Sequence, residues 1–128
     1  MAVALTISQL STCNRNHVGA VIVKDGRCVT WGYNGAPPGL PHCAHPIDEP
    51  CTTATHAEAN ALAFAAKQGI STDGASLYVT LSPCSTCARL LIAAGISTVH
   101  FLEQYRDDSA LDLLQGAGVK VWAILPSV

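Results

Sequence analysis

Between residues 18 and 124 the chain alternates segments of strand character with alanine- and leucine-rich segments of helix character, and that alternation confines it to the α/β class. Residues 18–23 and 27–32 are rich in β-branched and aromatic side chains, and Lys24-Asp25-Gly26 between them is a tight-turn signal, so the pair reads as a β-hairpin. Residues 56–67 read as a helix closed by Gly69, with Leu62 and Ala66 on its buried stripe. Then come a strand over 76–81, a helix over 83–94 stopped by Gly95, a strand over 99–102, a helix over 108–115 before Gly116 and a last strand over 119–124. A short first helix is expected over 2–10. Strands linked through helices require crossovers that lay the helices on a sheet. The expected fold is therefore a three-layer α/β/α domain around a five-stranded mixed sheet, mostly parallel, with the antiparallel hairpin at its start. At 128 residues the whole chain, 1–128, fits one domain.

One stretch interrupts the alternation. Residues 34–55 contain Pro37, Pro38, Pro41, Pro46 and Pro50, which exclude a long helix or an interior strand. A structureless loop of that length inside a compact domain normally carries a function or a staple.

Composition narrows the partners. Seven Lys and Arg stand against nine Asp and Glu, for a net charge of −2, and the basic residues are scattered. That balance lacks the clustered positive charge with which proteins hold polyanions, so a small-molecule substrate is expected and nucleic acid is not. Hydrophobic residues make up 49% of the chain and charged residues 12%, too little charge to cover a small globule, which implies a homo-oligomer. No apolar run approaches the length of a membrane span and no export signal opens the sequence, so a soluble, cytoplasmic protein without a membrane partner is expected. In that setting six cysteines, two of them spaced Cys-x-x-Cys, point to metal before disulfides.

The chemistry lies in two short motifs at helix starts, His56-Ala57-Glu58 and Pro83-Cys84-Ser85-Thr86-Cys87. If both helices begin at one sheet edge, His56, Cys84 and Cys87 converge as three zinc ligands and leave a fourth tetrahedral position open. The partial positive charge of helix N-termini favours the thiolates that zinc requires. Zinc lowers the pKa of a bound water from about 15.7 toward about 7, making hydroxide available at neutral pH. Glu58, two residues beyond His56, faces another side of the helix and is placed to move protons rather than to bind metal. A structural zinc knuckle is the alternative, but such a site normally offers four protein ligands, whereas this one offers three and an acid.

His-x-Glu with Pro-Cys-x-x-Cys is the signature of zinc nucleobase deaminases. With Ser11-Thr12-Cys13, Val18-Gly19-Ala20, Gly32-Tyr33-Asn34-Gly35, His42-Cys43 and Tyr105-Arg106, the chain resembles the cytidine deaminase superfamily, and within it the deoxycytidylate (dCMP) deaminases. The first helix is shorter than that family usually has. The resemblance implies a cytidine deaminase-like fold and zinc-dependent hydrolysis of dCMP to dUMP, feeding thymidylate synthesis. Deamination of dCTP, a modified dCMP or a nucleoside is the alternative, with nucleic-acid editing or a zinc-stapled assembly subunit without turnover further behind. The resemblance also implies that Asn34 binds the sugar hydroxyl, that the backbone at Ala57 reads the base carbonyl and that main-chain carbonyls near Leu81 and Ser82 accept from the departing amine. Asn-Gly is equally a common turn pair. Tyr105 is a candidate to stack on the pyrimidine, and Arg106 or Arg15 to hold the phosphate through a charge-assisted fork; rim packing and solvated surface charge are the alternatives. Some phage relatives carry a second, structural zinc, for which Cys13, Cys43 and Cys51 are the candidates here, with His45 or His42 as fourth ligand; reduced buried thiols are the alternative. Hexamers activated by dCTP and inhibited by dTTP also occur in the family, with the Gly-Tyr-Asn-Gly region contributing in some members.

Overall fold

In the computed structural model of the protein, which describes residues 1–13, 16–44, 51–105 and 108–124, the hairpin is formed by β1 (Gly19–Lys24) and β2 (Arg27–Tyr33). Asp25 and Gly26 both adopt positive φ, 53° and 75°, the pair of left-handed residues that matches a two-residue turn to the twist of its strands. The remaining elements follow the expected order: α1 (Ala2–Ser8) at the start, then α2 (Ala57–Gln68), β3 (Ser76–Leu81), α3 (Ser85–Ala93), β4 (Thr98–Glu103), α4 (Ser109–Gly116) and β5 (Lys120–Ala123) after the hairpin. α1 is two residues shorter than the expected 2–10, because Leu10 and Ser11 donate to Ile7 and Ser8, three residues back, and close the last turn. No helix among the described residues is long and apolar enough to cross a membrane.

The five strands form one sheet in the order β2-β1-β3-β4-β5. β1 is antiparallel to both of its neighbours, whereas β3, β4 and β5 run parallel. The sheet is therefore mixed as expected, with four of its five strands running in one direction and β1 opposed to them. The reason lies in α2, which carries the chain from the edge strand β2 over β1 to β3, so that β2 and β3 share a direction and β1 opposes both.

Alternation along β1 assigns the two faces. Ala20 and Ile22 enter the main core with Ala57 and Ala61 of α2, Ala88 and Leu91 of α3, and Ala110 and Leu114 of α4. Val21, on the opposite face, packs against Ala4 and Ile7 of α1. Three helices thus lie on one face and α1 on the other, which makes the three layers. The buried stripe of α2 is Ala57, Ala61 and Ala65, with Leu62 at its margin and Ala66 exposed. It is displaced by one residue from the expected Leu62 and Ala66 stripe because small side chains let the helix lie close on the sheet. At Gly32 the approach is tightest: a Cβ there would sit 2.5 Å from the Ala57 carbonyl oxygen and 2.6 Å from the Ala61 nitrogen. Gly32→Ala is therefore expected to lower stability by about 1–3 kcal/mol, seen as a reduced urea midpoint, because backbone atoms must move to admit the methyl.

Candidate metal and active site

Both helix N-termini that carry the motifs open into one cleft. His56 is the N-cap of α2 in extended conformation, φ −66° and ψ 153°, and its side chain makes no capping bond, which leaves the imidazole to other partners. Three contacts anchor this end of α2. The buried Thr30 hydroxyl donates to the Ala61 carbonyl at 2.9 Å, Asn60 Nδ2 donates to the Tyr33 carbonyl at 2.7 Å, and a main-chain bridge joins Gly35 to Thr55 at the base of the proline-rich loop.

α3 starts directly after β3. Pro83 and Cys84 precede the helix rather than beginning it, and Cys84 is its N-cap, its sulfur accepting the Cys87 N–H at 3.5 Å. His56 Nδ1 lies 3.5 Å from Cys84 Sγ and 3.4 Å from Cys87 Sγ, and the three ligand atoms are mutually within 4.8 Å. Tetrahedral zinc with Zn–S of about 2.3 Å and Zn–N of about 2.0 Å would hold sulfur and nitrogen about 3.5 Å apart. The donor set fits zinc in chemistry and in spacing.

Charge is arranged to match. The Cys87 thiol and the His56 imidazole hold Cys84 down to about 3, and the same contact with Cys84, with burial, raises Cys87. Cys84 in turn raises His56. The three groups thus compete for protons that a dication would displace. Glu58 is only 4% exposed, and burial pushes it up to about 7 against the opposing pull of its own N–H and of His56. A carboxyl poised near neutrality both accepts and returns a proton.

The cleft has a volume of about 180 Å³ and is lined by His56, Ala57, Glu58, Cys84, Leu81, Ser82, Asn34 and Tyr105, among others. That is below the ~300–1,000 Å³ of drug-sized pockets and suits one ring with part of its substituent. Asn34 is buried, and neither it nor Gly35 has positive φ, so the left-handed turn reading of Asn-Gly does not apply. Its Oδ1 accepts from the Val18 N–H at 2.8 Å and its Nδ2 donates to the Asn16 carbonyl at 2.7 Å, which among the described residues leaves one amide proton and one lone pair. Ser11, quoted in the sequence only as part of a marker, is the brace for this residue: its hydroxyl donates to the Asn34 carbonyl at 2.8 Å. A serine eleven residues in, between Leu10 and Thr12, gives no sign of that partner. Tyr105, 41% exposed, forms part of the rim. Arg15, Arg106 and His45 lie outside the described residues.

Cys13, Cys43 and Cys51 form a second cluster with sulfurs mutually within 4.8 Å. Burial and hydrogen bonds to Cys13 and Cys51 raise Cys43; in Cys51 burial is outweighed by the N–H groups of Ala54 and Thr53, and its thiol is lowered. Cys13 and Cys51 also line the main cleft, a proximity the sequence did not reveal. His42 does not join the cluster. It is exposed and lines a separate hollow of about 440 Å³ with Trp31, Tyr33, Phe64 and Lys67, so the fold sets this expected fourth ligand apart from the three thiols.

Comparison with known proteins agrees with this geometry. Residues 1–103 match the family model described as the cytidine and deoxycytidylate deaminase zinc-binding region. The chain is 44% identical over 126 residues to ComE operon protein 2 of Bacillus subtilis, covering 94% of this chain and 67% of that one. It is 32% identical over 168 aligned positions to the deoxycytidylate deaminase of Enterobacteria phage T4, covering 97% and 87%. The dCMP deaminase of cyanophage S-TIM5, solved with dCMP and dUMP, superposes with a TM-score of 0.90 at 38% identity over 96% of this chain and 92% of that one. The paired helix starts, the ligand spacing and these likenesses agree: the chain belongs to the cytidine and deoxycytidylate deaminase family.

Proposed function

We propose that the protein hydrolyses dCMP to dUMP and ammonia, with His56, Cys84 and Cys87 holding one zinc ion and Glu58 moving the protons. The observation that carries this is the pair of 3.5 and 3.4 Å nitrogen–sulfur separations beside a buried carboxyl. A zinc ion bound there supplies Lewis-acid activation of water at neutral pH. Glu58 accepts one proton from the attacking water and delivers it to the ring nitrogen, then passes the second, from the hydroxyl added to the ring carbon, to the amino group as it leaves, so that water and cytosine yield uracil and ammonia. Asn34 uses its remaining amide proton or lone pair on the sugar hydroxyl. The Ala57 N–H reads the base carbonyl, and the carbonyls of Leu81 and Ser82 accept from the amino group. Tyr105 stacks on the ring at the rim, and Arg15 or Arg106 holds the phosphate.

The reading extends to three further features. Cys13, Cys43 and Cys51 hold a second, structural zinc with His45 as the fourth ligand. The aromatic hollow around Trp31 and Tyr33, with Lys67 at its side, receives the effectors dCTP and dTTP. Exposed apolar side chains such as Trp122, 56% exposed, are covered in a homo-oligomer, the hexamer being the form seen in the family.

Side-by-side assays of dCMP, dCTP, CMP, deoxycytidine and cytosine, with and without dCTP and dTTP, test the assignment; best turnover of an unphosphorylated substrate would overturn it. Metal analysis of freshly purified protein is expected to find two zinc ions per chain, falling to one in Cys43→Ala. One ion in the unsubstituted protein would remove the structural site.

A further inference from the structure

Where β3 and β4 run out, the sheet ladder changes partner. In a parallel pair a residue donates its N–H to one residue of the neighbouring strand and accepts at its carbonyl from the residue two further on. Leu81 pairs with Glu103, and the Ser82 N–H donates to the Glu103 carbonyl at 2.8 Å. The regular continuation would bring the Tyr105 N–H to the main-chain carbonyl of Ser82. Instead the Tyr105 N–H donates to the Ser82 hydroxyl oxygen, at 2.6 Å, and no described residue donates to the Ser82 carbonyl. Ser82 is 3% exposed and lines the cleft together with Tyr105. The next residue is Pro83, which has no N–H to offer.

We propose that the Ser82 hydroxyl is a positioning and specificity-determining group: by taking the place of its own carbonyl in the β3–β4 ladder it keeps that carbonyl open to the substrate's exocyclic amino group, and it holds Tyr105 at the rim. The inference rests on the deaminase reading above and adds to it the side chain that makes the acceptor available. A free carbonyl favours a ligand that offers N–H and disfavours one that offers a carbonyl oxygen in the same place. It therefore separates the amino-bearing substrate from the keto-bearing product. Without the hydroxyl, the regular parallel register offers the Tyr105 N–H the Ser82 carbonyl, and the ladder closes over the acceptor.

The test titrates dCMP and dUMP into Glu58→Gln protein, in which bound dCMP persists, with Ser82 intact, as Ser82→Ala and as Ser82→Thr. The ratio of dCMP to dUMP affinity is expected to fall about tenfold in Ser82→Ala and to return to within about twofold in Ser82→Thr, which keeps the acceptor oxygen. Should Ser82→Ala lose its zinc or its cooperative melt, Ser82→Cys, close in size and a poor acceptor, carries the same expectation. Equal weakening of both ligands, or an unchanged ratio, would overturn the proposal and leave the deaminase reading standing. Failure of the unsubstituted protein to deaminate dCMP would overturn both.

Discussion

Glu58→Gln protein is expected to keep its zinc and its fold while losing turnover of dCMP by about 100- to 10,000-fold, the usual contribution of a positioned acid–base group. Glutamine is the informative replacement. Glu58 is 4% exposed, so alanine would leave a cavity and confuse packing with chemistry, whereas the amide fills the same volume. The amide retains hydrogen-bonding capacity for the neighbouring Cys87 and backbone N–H, but it cannot take a proton from water and return it to a ring nitrogen. The loss should fall on kcat, since the group acts on protons in flight rather than on binding. Steady-state kinetics together with zinc content by atomic emission checks both halves of the expectation. Turnover within tenfold of the unsubstituted enzyme would sink the proton-shuttle role; loss of zinc would instead make Glu58 part of the metal site.

Cys87→Ser is expected to remove the zinc bound with His56 and Cys84, and turnover with it. A serine hydroxyl nearly fills the space of the buried thiol, but its oxygen stays protonated at neutral pH and does not replace a thiolate. Zinc content should fall by one ion per chain, and the melting temperature should drop, because metal binding to a site absent from the unfolded chain is folding free energy. Cys28→Ser is the control. Cys28 is exposed, makes a weak 3.8 Å contact with the Thr30 carbonyl and among the described residues belongs to neither cluster, so its substitution should change neither zinc nor turnover. A Cys87→Ser protein with undiminished zinc would show that the three-ligand arrangement is wrong.

Much of the metal centre is readable in the chain because its geometry is local. Cys84 and Cys87 are the N-cap and the third residue of one helix, and His56 and Glu58 are the N-cap and the second residue of another, so helical spacing alone sets how each pair is disposed. The hairpin is readable for a similar reason: the backbone at Asp25 and Gly26 demands left-handed conformations that few residue pairs accept. The buried stripe of α2 is less so. Periodicity singles out the larger Leu62, whereas the sheet beneath, with Gly32 at the contact, selects alanines at 57, 61 and 65.

By itself, then, the sequence determined the class of fold, the candidate ligand types, their pairing within each helix and the acid beside them, the last three of which follow from spacing along one element. Only the tertiary structure decided what meets across elements. It brought the N-termini of α2 and α3 to one cleft and set Cys13 and Cys51 along its wall. It put His42 in a different hollow, braced Asn34 with Ser11 and gave the Tyr105 N–H to the Ser82 hydroxyl. These partners lie some twenty or more residues apart in the chain, and their meeting depends on strand order and on how far each strand's ladder runs. Neither quantity is written in the local hydrophobic pattern; both emerge when the strands pair and the helices bury their faces against them.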